Sequence, residues 1–470
     1  MARPPKDPLV VVIGATGTGK SKLAVELATQ FNGEIINGDA MQMYKGLPII
    51  TNKIPEHERN GVPHHLLDTV RLEEQPWTVN QFVKESSHII HDIRTRGKLP
   101  IVVGGTHYYT HALLFKDATL TDEAGESTTD GEQVDGMEDD FPILSRPTEE
   151  ILQALQEVDP DMARRWHPKD RRKIQRSLQI WLKTGRKASE VYAEQQERRP
   201  ASRPTDDDAD SSRLGGELGE TNEEAALRYP TLLLWLEAED AVLKVRLNDR
   251  VDAMVKGGLI DEALALTGFE EELIRQGVPM DKTKGIWVSI GYKEMETWLK
   301  AGQTTEPNFP QASRALTEAI EAVKAGTRRY AKRQNRYIRI RLANALQRAD
   351  EFGMLFLLDC SNLDKWDTEV AAQAQRLVRS FLVGEELPDH KSLSKLAAKM
   401  LSADEQPPGT NRVARTCDTC DKTLMTDKEW HGHLASRGHK KAVAAQRKRE
   451  ARPNQEPVHP HTASSTTAQD

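Results

Sequence analysis

Three features of this 470-residue chain have residue types and spacing that could do chemistry: a glycine-rich turn, an aspartate after an apolar run, and a Cys/His quartet. The turn, Gly14-Ala15-Thr16-Gly17-Thr18-Gly19-Lys20-Ser21, follows PLVVVI and opens a stretch of helical spacing, Lys20 to Phe31. The spacing G-x-x-x-x-G-K-[ST] between strand and helix predicts backbone N–H groups converging on one anion, with the positive helix end behind them. Lys20 adds a point charge, and the Ser21 hydroxyl is a natural Mg²⁺ ligand. An NTPase also needs an acid at the end of a later strand. The run that should carry it, PIVVGGTHYY, ends instead in Gly104-Gly105-Thr106. The strand-end acid is Asp39, in NGDAMQMY, which is ionised at its ordinary pKa. It could hold a metal, take a proton from an acceptor, or serve as a turn residue.

The quartet is Cys417-x2-Cys420, then twelve residues to His433 and five more to His439. That spacing fits a Cys₂His₂ finger holding Zn²⁺, with a cysteine knuckle and both histidines on one helix face. His431, two positions from His433, points elsewhere. Trp430 and Leu434 are expected to form a small core that folds only with metal. The basic stretch after it, KKAVAAQRKRE, suits contact with nucleic acid backbone or a nuclear signal.

Composition narrows the setting. Only 37% of residues are hydrophobic and the net charge is −7, but the charge is segregated. Arg164 to Lys187 holds ten Lys/Arg against one Asp, whereas Asp206 to Glu224 holds eight acids against one Arg. The first is what a polyanion would feel. Three cysteines make no disulfide framework and suit a reducing compartment. No apolar run approaches the roughly 20 residues of a membrane span, and the start lacks a signal or transit pattern.

The elements that must position these residues alternate between strand and helix over the first hundred positions. LVVVIGA, GEIINGD and LPIVVGG read as strands, with helices from Lys20, from Val79 to Arg96 and from about Thr106. This is an α/β pattern: a P-loop parallel sheet core with helices on both faces. Its ligands gather at the carboxyl ends of the strands, where the glycine-rich turn, Asp39 and Gly104–Thr106 would meet. The expected organisation is a first part of the core at 8–116 and an inserted helical domain at 117–200. An acidic disordered insertion follows at 201–228, then a second core part at 229–384. A linker at 385–412, the C2H2 finger at 413–445 and a disordered tail at 446–470 complete the chain.

Taken together, these residues resemble the tRNA isopentenyltransferases (tRNA dimethylallyltransferases) of the eukaryotic type with an appended finger. The resemblance runs from about Leu9 to Leu382 and through Cys417–His439. It rests on GATGTGKS, INGDAMQMYKGLPIITNK, GVPHHLLD, GKLPIVVGGTHYY, HPKDRRKIQRSLQI, LNDRVDAMVKGGL, GIWVSIGYKE and RRYAKRQ, in that order. Two departures stand out. The family usually has Asp-Ser where this chain has Asp39-Ala40, and the acidic stretch around Asp206 is extra.

The resemblance implies prenyl transfer from dimethylallyl diphosphate to the exocyclic amino group of the adenosine 3′ of the anticodon. Residues 14–21 would hold the departing diphosphate with Lys20, Mg²⁺ on Ser21, and Arg250 from LNDRVD. Thr16 would line the donor side, and Asp39 would bind the amino group and take its proton. Asp39, Ala40, Met41, Gln42 and Thr106 would approach the tRNA, as would Arg172, Lys173, Ile174, Gln175 and Arg176. The helical insert would grip the anticodon stem–loop, with RRYAKRQNR as a basic wall. A cytoplasmic monomer without membrane attachment is expected, with mitochondrial and nuclear pools left open. The rivals are a P-loop small-molecule or nucleoside kinase and a non-catalytic RNA-binding protein.

Overall fold

A computed structural model describes residues 3–115, 141–191, 226–300, 310–402, 415–420, 422–424 and 427–450. The chain opens with β1 (Leu9–Gly14), α1 (Lys20–Gln30), β2 (Gly33–Asn37), β3 (His64–His65), α2 (Val79–Thr95), β4 (Leu99–Val103) and α3 (His107–Leu114). Next come α4 (Thr148–Val158), α5 (Pro160–Arg165) and α6 (Arg171–Thr184). β5 (Thr231–Glu237), α7 (Asp240–Lys256), α8 (Leu259–Arg275), α9 (Pro310–Tyr337), β6 (Leu355–Asp359), α10 (Ala372–Val383) and α11 (Lys395–Leu401) follow. The last elements are β7 (Arg415–Cys417), β8 (Lys422–Leu424), α12 (Asp427–Ala435) and α13 (Arg437–Glu450). The chain divides into two compact units, residues 1–134 with 206–407, and residues 135–205 with 408–470.

The first unit is built on a six-stranded sheet in the order β3-β2-β4-β1-β5-β6, every pair parallel. Every residue of β1 is buried, as a parallel sheet covered on both faces requires. Successive side chains alternate between faces. Leu9, Val11 and Ile13 therefore join a cluster with α2, α3 and α8 on one side. Val10 and Val12 pack with α1 and α10 on the other. Helix α2 starts where Thr78 and Gln81 form a reciprocal capping box, Gln81 N–H donating to Thr78 Oγ1 at 3.2 Å. The chain runs from β1 out to β2, returns to β4 beside β1, and then crosses to β5 on the far side. That reversal places a crevice at the carboxyl end of β1.

The alternation read from the sequence thus gives a parallel sheet, with two differences. β2 ends at Asn37, so Asp39 lies two residues beyond the strand. The segment read as a linker contains α11, whose buried Ala397 and Leu401 join the core cluster. Residues 201–225 of the acidic stretch and 451–470 of the tail lie outside the described residues. No helix among the described residues is long and apolar enough to cross a membrane.

One buried charge fixes the sheet edge. Glu34 on β2, its side chain 1% exposed, accepts from Arg96 Nη2 at 2.9 Å, Lys98 Nζ at 2.7 Å and His65 Nε2 at 2.7 Å. Hydrogen bonds from Arg96, then from Lys98 and His65, hold its carboxyl down to about 2 against the opposing cost of burial. A folded pKa below the ordinary 4.5 means that this stability is full above the ordinary value. It is lost as pH falls from there toward about 2. Glu34→Gln is expected to cost about 2–3 kcal/mol at neutral pH, less than a fully buried pair because the cations are part-hydrated. Urea melts at neutral and acid pH check this: the gap between variant and wild type should close on acidification.

The second unit contains α4, α5 and α6, which bury Ile151, Leu155, Met162, Trp166, Ile174 and Leu178 together. Asp159 caps α5, accepting from Met162 N–H at 3.1 Å. The same unit holds the antiparallel β7–β8 hairpin followed by α12 and α13.

Candidate active site

The glycine-rich turn joins β1 to α1 at the crevice. Gly14 has φ +144°, and a Cβ on it would stand 2.3 Å from the Leu236 carbonyl oxygen of the neighbouring β5, so only glycine fits. Thr18 Oγ1 and Lys20 Nζ each donate to the Ala15 carbonyl at 2.8 Å, folding the loop over its own lysine. The Ser21 hydroxyl makes no hydrogen bond among the described residues and stands at the start of α1, where a metal on a bound phosphate would find it.

Asp39 reaches this loop by a route the sequence does not display. β2 is separated from β1 by β4. The turns after β2 and β4 close on each other because Gly104 has no side chain: a Cβ there would lie 2.2 Å from the Gly38 carbonyl carbon. Asn37 donates from Nδ2 to the Asp39 carbonyl at 2.9 Å, and its Oδ1 accepts from Asp39 N–H at 3.0 Å, fixing the turn. Met41 N–H donates to Asp39 Oδ1 at 3.1 Å, and the Gln42 and Gly105 N–H groups also favour the carboxylate. Thr106 Oγ1 accepts from Ala40 N–H at 3.1 Å, and Gln42 Nε2 donates to the Asn52 carbonyl at 3.1 Å.

Burial raises the Asp39 pKa, and Lys20 opposes that rise. Burial pushes Lys20 down to about 8, with Asp39 opposing and Arg250 adding to the fall. Arg250, on α7, is pushed down to about 10 by burial against the pull of Asp39, so it stays cationic at neutral pH. Arg250 makes no hydrogen bond or ion pair among the described residues. The structure therefore brings Thr16, Lys20, Asp39 and Arg250 to one place: two cations and a carboxylate around a nest of backbone N–H groups. That arrangement can hold a polyanion and remove a proton beside it.

A pH dependence follows. The charge of Lys20 is present below about 8 and is lost above it. Affinity for inorganic diphosphate should therefore fall about tenfold between pH 7 and 9. Calorimetry on wild type and Lys20→Arg checks this, because the arginine keeps its charge and cancels the ligand's own titration from the comparison.

Two neighbours of the site were missed by sequence reasoning. β5, the other strand beside β1, also ends in an acid: Glu237 is 2% exposed and accepts from Asn335 Nδ2 at 2.8 Å on Oε1. Burial pushes its carboxyl up to about 7. Gln334, the residue before Asn335, is 4% exposed and bonds the glycine-rich turn, accepting from Thr16 N–H at 2.8 Å. The available signal was its spacing: within the basic run it shares the helical face of Ala331 and Ile338, both buried. Arg329, Lys332, Arg333 and Arg336 are exposed and form the basic face of the same helix.

Among the residues read as RNA-facing on α6, Lys173 pairs with Asp170 at 2.9 Å, and Gln175 Nε2 donates to the Leu144 carbonyl at 3.3 Å. Arg176 Nη1 donates to Gln179 Oε1 at 2.9 Å, and Arg172 lies on the same helix. Ile174 leaves that set: its side chain is wholly buried among the apolar residues of α4–α6. Alone among residues 172–176 it lies on the apolar face of α6, in line with Leu178 and Trp181, which is why it packs inward.

In the finger, Cys417, Cys420, His433 and His439 bring one ligand atom each within 4.8 Å of one another. His439 Nδ1 lies 3.6 Å from Cys417 Sγ and 3.5 Å from Cys420 Sγ, a donor set that fits Zn²⁺. His431 is outside the quartet. The histidines do not share one helix face as expected: His433 is on α12 and His439 on α13. Six positions turn a regular helix through about 600°, which would point the rings apart. The helix breaks at Ser436, whose Oγ accepts from His439 N–H at 3.2 Å. Leu434, expected in the small core, is 38% exposed, while Trp430 is half-buried.

The chain is also similar to known proteins. The family model described as IPP transferase matches residues 42–341. A tRNA dimethylallyltransferase of Saccharomyces cerevisiae is 34% identical over 92% of this chain and 91% of its own length. One of Mus musculus is 36% identical over 92% of this chain and 85% of its own. A solved eukaryotic dimethylallyltransferase acting on tRNA is similar to this structure with TM-score 0.71 at 33% identity, covering 95% of this chain and 98% of that one. With a glycine-rich turn beside a half-buried aspartate and relatives of this extent, the chain belongs to the IPP transferase family.

Proposed function

We propose that this chain is a tRNA dimethylallyltransferase, moving a dimethylallyl group from dimethylallyl diphosphate to the N6 amino group of the adenosine 3′ of the anticodon. The observation that carries the reading is that one amide, Gln334, bonds both the glycine-rich turn at Thr16 and Gly105, the residue against which the Asp39 carboxylate lies. An adenine amino group is a weak nucleophile because its lone pair is delocalised into the ring. Transfer therefore needs a good leaving group and a sink for the proton.

The N6 lone pair attacks C1 of the allyl group while the C1–O bond breaks. The electron pair leaves on the diphosphate, and the N6 proton passes to the Asp39 carboxylate. The N–H groups of the glycine-rich turn other than that of Thr16, which Gln334 holds, stabilise with Lys20 and Arg250 the charge that grows on the leaving oxygens. Ser21 would hold a Mg²⁺ ion, which supplies further positive charge on those oxygens when bound. The raised pKa of Asp39 makes it a better proton acceptor than an exposed carboxylate. The adenosine must leave its stack to reach a strand-end site. The exposed basic face of α9 and the polar residues of α6 suit the phosphates of the anticodon stem–loop. All donor- and acceptor-side groups come from one chain, so a monomer suffices. The Cys/His quartet holds Zn²⁺ in this reading.

One experiment tests it: labelled dimethylallyl diphosphate, Mg²⁺ and total tRNA, repeated with labelled ATP in place of the prenyl donor. Label in tRNA adenosine is expected. Phosphate transfer from ATP without prenylation points to a kinase, and binding without turnover to a non-catalytic RNA-binding protein.

A further inference from the structure

We propose that Gln334 is a positioning residue: its single side-chain amide locks the phosphate loop and the turn carrying the acceptor's base into one frame. The inference rests on the reading above, in which those two loops hold donor and acceptor.

Gln334 Oε1 accepts from the Thr16 N–H at 2.8 Å, and Gln334 Nε2 donates to the Gly105 carbonyl at 2.8 Å. Gly105 is the residue whose own N–H favours the Asp39 carboxylate. A Cβ placed on Gly105 would stand 2.4 Å from Gln334 Nε2 and 3.1 Å from Asp39 Oδ2, so the three groups are contiguous around a missing side chain. Tyr330 OH donates to the same Gly105 carbonyl at 3.4 Å. The next residue, Asn335, anchors α9 to Glu237 at the end of β5, which keeps Gln334 from drifting. Two consecutive amides thus face the strand ends from a helix whose other face is charged and exposed.

The chemistry of the link calls for an amide. One planar group must accept on one side and donate on the other, in a site 4% exposed. An ionised carboxylate could only accept, and an ammonium could only donate. Neither bond joins structural elements of the core. Each ends on a loop that faces a substrate. Transfer needs the attacking nitrogen, the allylic carbon and the leaving oxygen in line at about 3–3.5 Å, and a shift of about 1 Å between the loops costs on the order of 10² in rate. Diphosphate affinity depends instead on Lys20, Arg250 and the remaining N–H groups. tRNA affinity depends on the exposed cations. Loss of Gln334 should therefore fall on kcat and spare binding.

The test uses the full chain with dimethylallyl diphosphate and tRNA, comparing wild type, Gln334→Met and Gln334→Glu. Gln334→Met is expected to lower kcat by roughly 10²-fold, with tRNA KM and inorganic diphosphate affinity within about threefold of wild type. Gln334→Glu gives a second readout that a packing role would not move. Ionised, its carboxylate cannot donate to the Gly105 carbonyl; protonated, it can. The kcat ratio of Gln334→Glu to wild type should rise as pH is lowered from about 8 to about 6. The titratable and charged neighbours are Asp39 on the β2 turn, Lys20 on α1, Arg250 on α7, Tyr330 on α9 and Glu237 at the end of β5, whose carboxyl is pushed up to about 7, and the ratio to wild type divides out their shared titration. A Gln334→Met enzyme that keeps kcat within about threefold overturns the assignment. So does a Gln334→Glu ratio that stays flat with pH, and this arm decides alone if Gln334→Met does not fold. Wild type that binds no inorganic diphosphate would sink the donor reading instead, so the two failures are distinguishable.

Discussion

Asp39→Asn should lower prenyl transfer by a factor on the order of 10²–10³ while tRNA and inorganic diphosphate still bind. The asparagine carbonyl can still accept from Met41 N–H, so the turn should hold. What disappears is the proton acceptor, together with a negative charge facing Lys20 and Arg250. Diphosphate affinity should therefore stay level or tighten while kcat falls. Arg250→Ala is the counterpart: it removes a cation with no other partner among the described residues, so diphosphate binding should weaken together with the rate. The pH profile separates them further. Because burial raises the Asp39 pKa, wild-type activity should decline on acidification through that raised value as the carboxylate takes up its proton. Single-turnover rates across pH check this, since Asp39→Asn should lack that acid limb. An Asp39→Asn enzyme with wild-type kcat would refute Asp39 as base.

The second large effect is expected at the Cys/His quartet. Among the described residues of the finger only Cys417 is buried, at 4% exposure; Trp430 is half-buried and Leu434 lies open. A two-stranded hairpin of three-residue strands with so little apolar burial cannot meet the entropy of ordering. Zinc binding contributes about 10–16 kcal/mol in such units. Cys417→Ser or a strong chelator should therefore unfold residues 415–450 outright and leave the sheet unit folded. Limited proteolysis of the full chain, mapped by mass, checks it: new cuts should cluster in the finger, with those in residues 9–115 unchanged.

Much of this was legible from residue patterns. The apolar runs at Leu9, Leu99 and Thr231 and the helical spacing from Lys20 determine a parallel sheet, because burial on both faces leaves few other solutions. The glycine-rich turn could be placed because backbone geometry alone makes it work. Gln334 could not: a glutamine in a basic run carries no mark of which loops its amide will bridge, and that depends on the crossing of α9 over the strand ends. The close approach of Gly104 to Gly38 has the same character, since it arises from two turns 66 positions apart. The break at Ser436 was readable in hindsight, because a six-position His spacing does not suit an unbroken helix.

The sheet unit also closes its own gap. Phe115 forms an isolated antiparallel bridge with Leu227, and Arg228 N–H donates to the Leu114 carbonyl at 2.7 Å. Two stretches 112 residues apart along the sequence are therefore tied side by side within the sheet unit. Loop-closure cost grows only with the logarithm of length, so doubling the excursion adds about 0.6 kcal/mol. A change of length between positions 116 and 226 should therefore cost little. The tie at Leu114–Phe115 and Leu227–Arg228 holds β5 in register whatever that length is, so the acidic stretch need not alter the site.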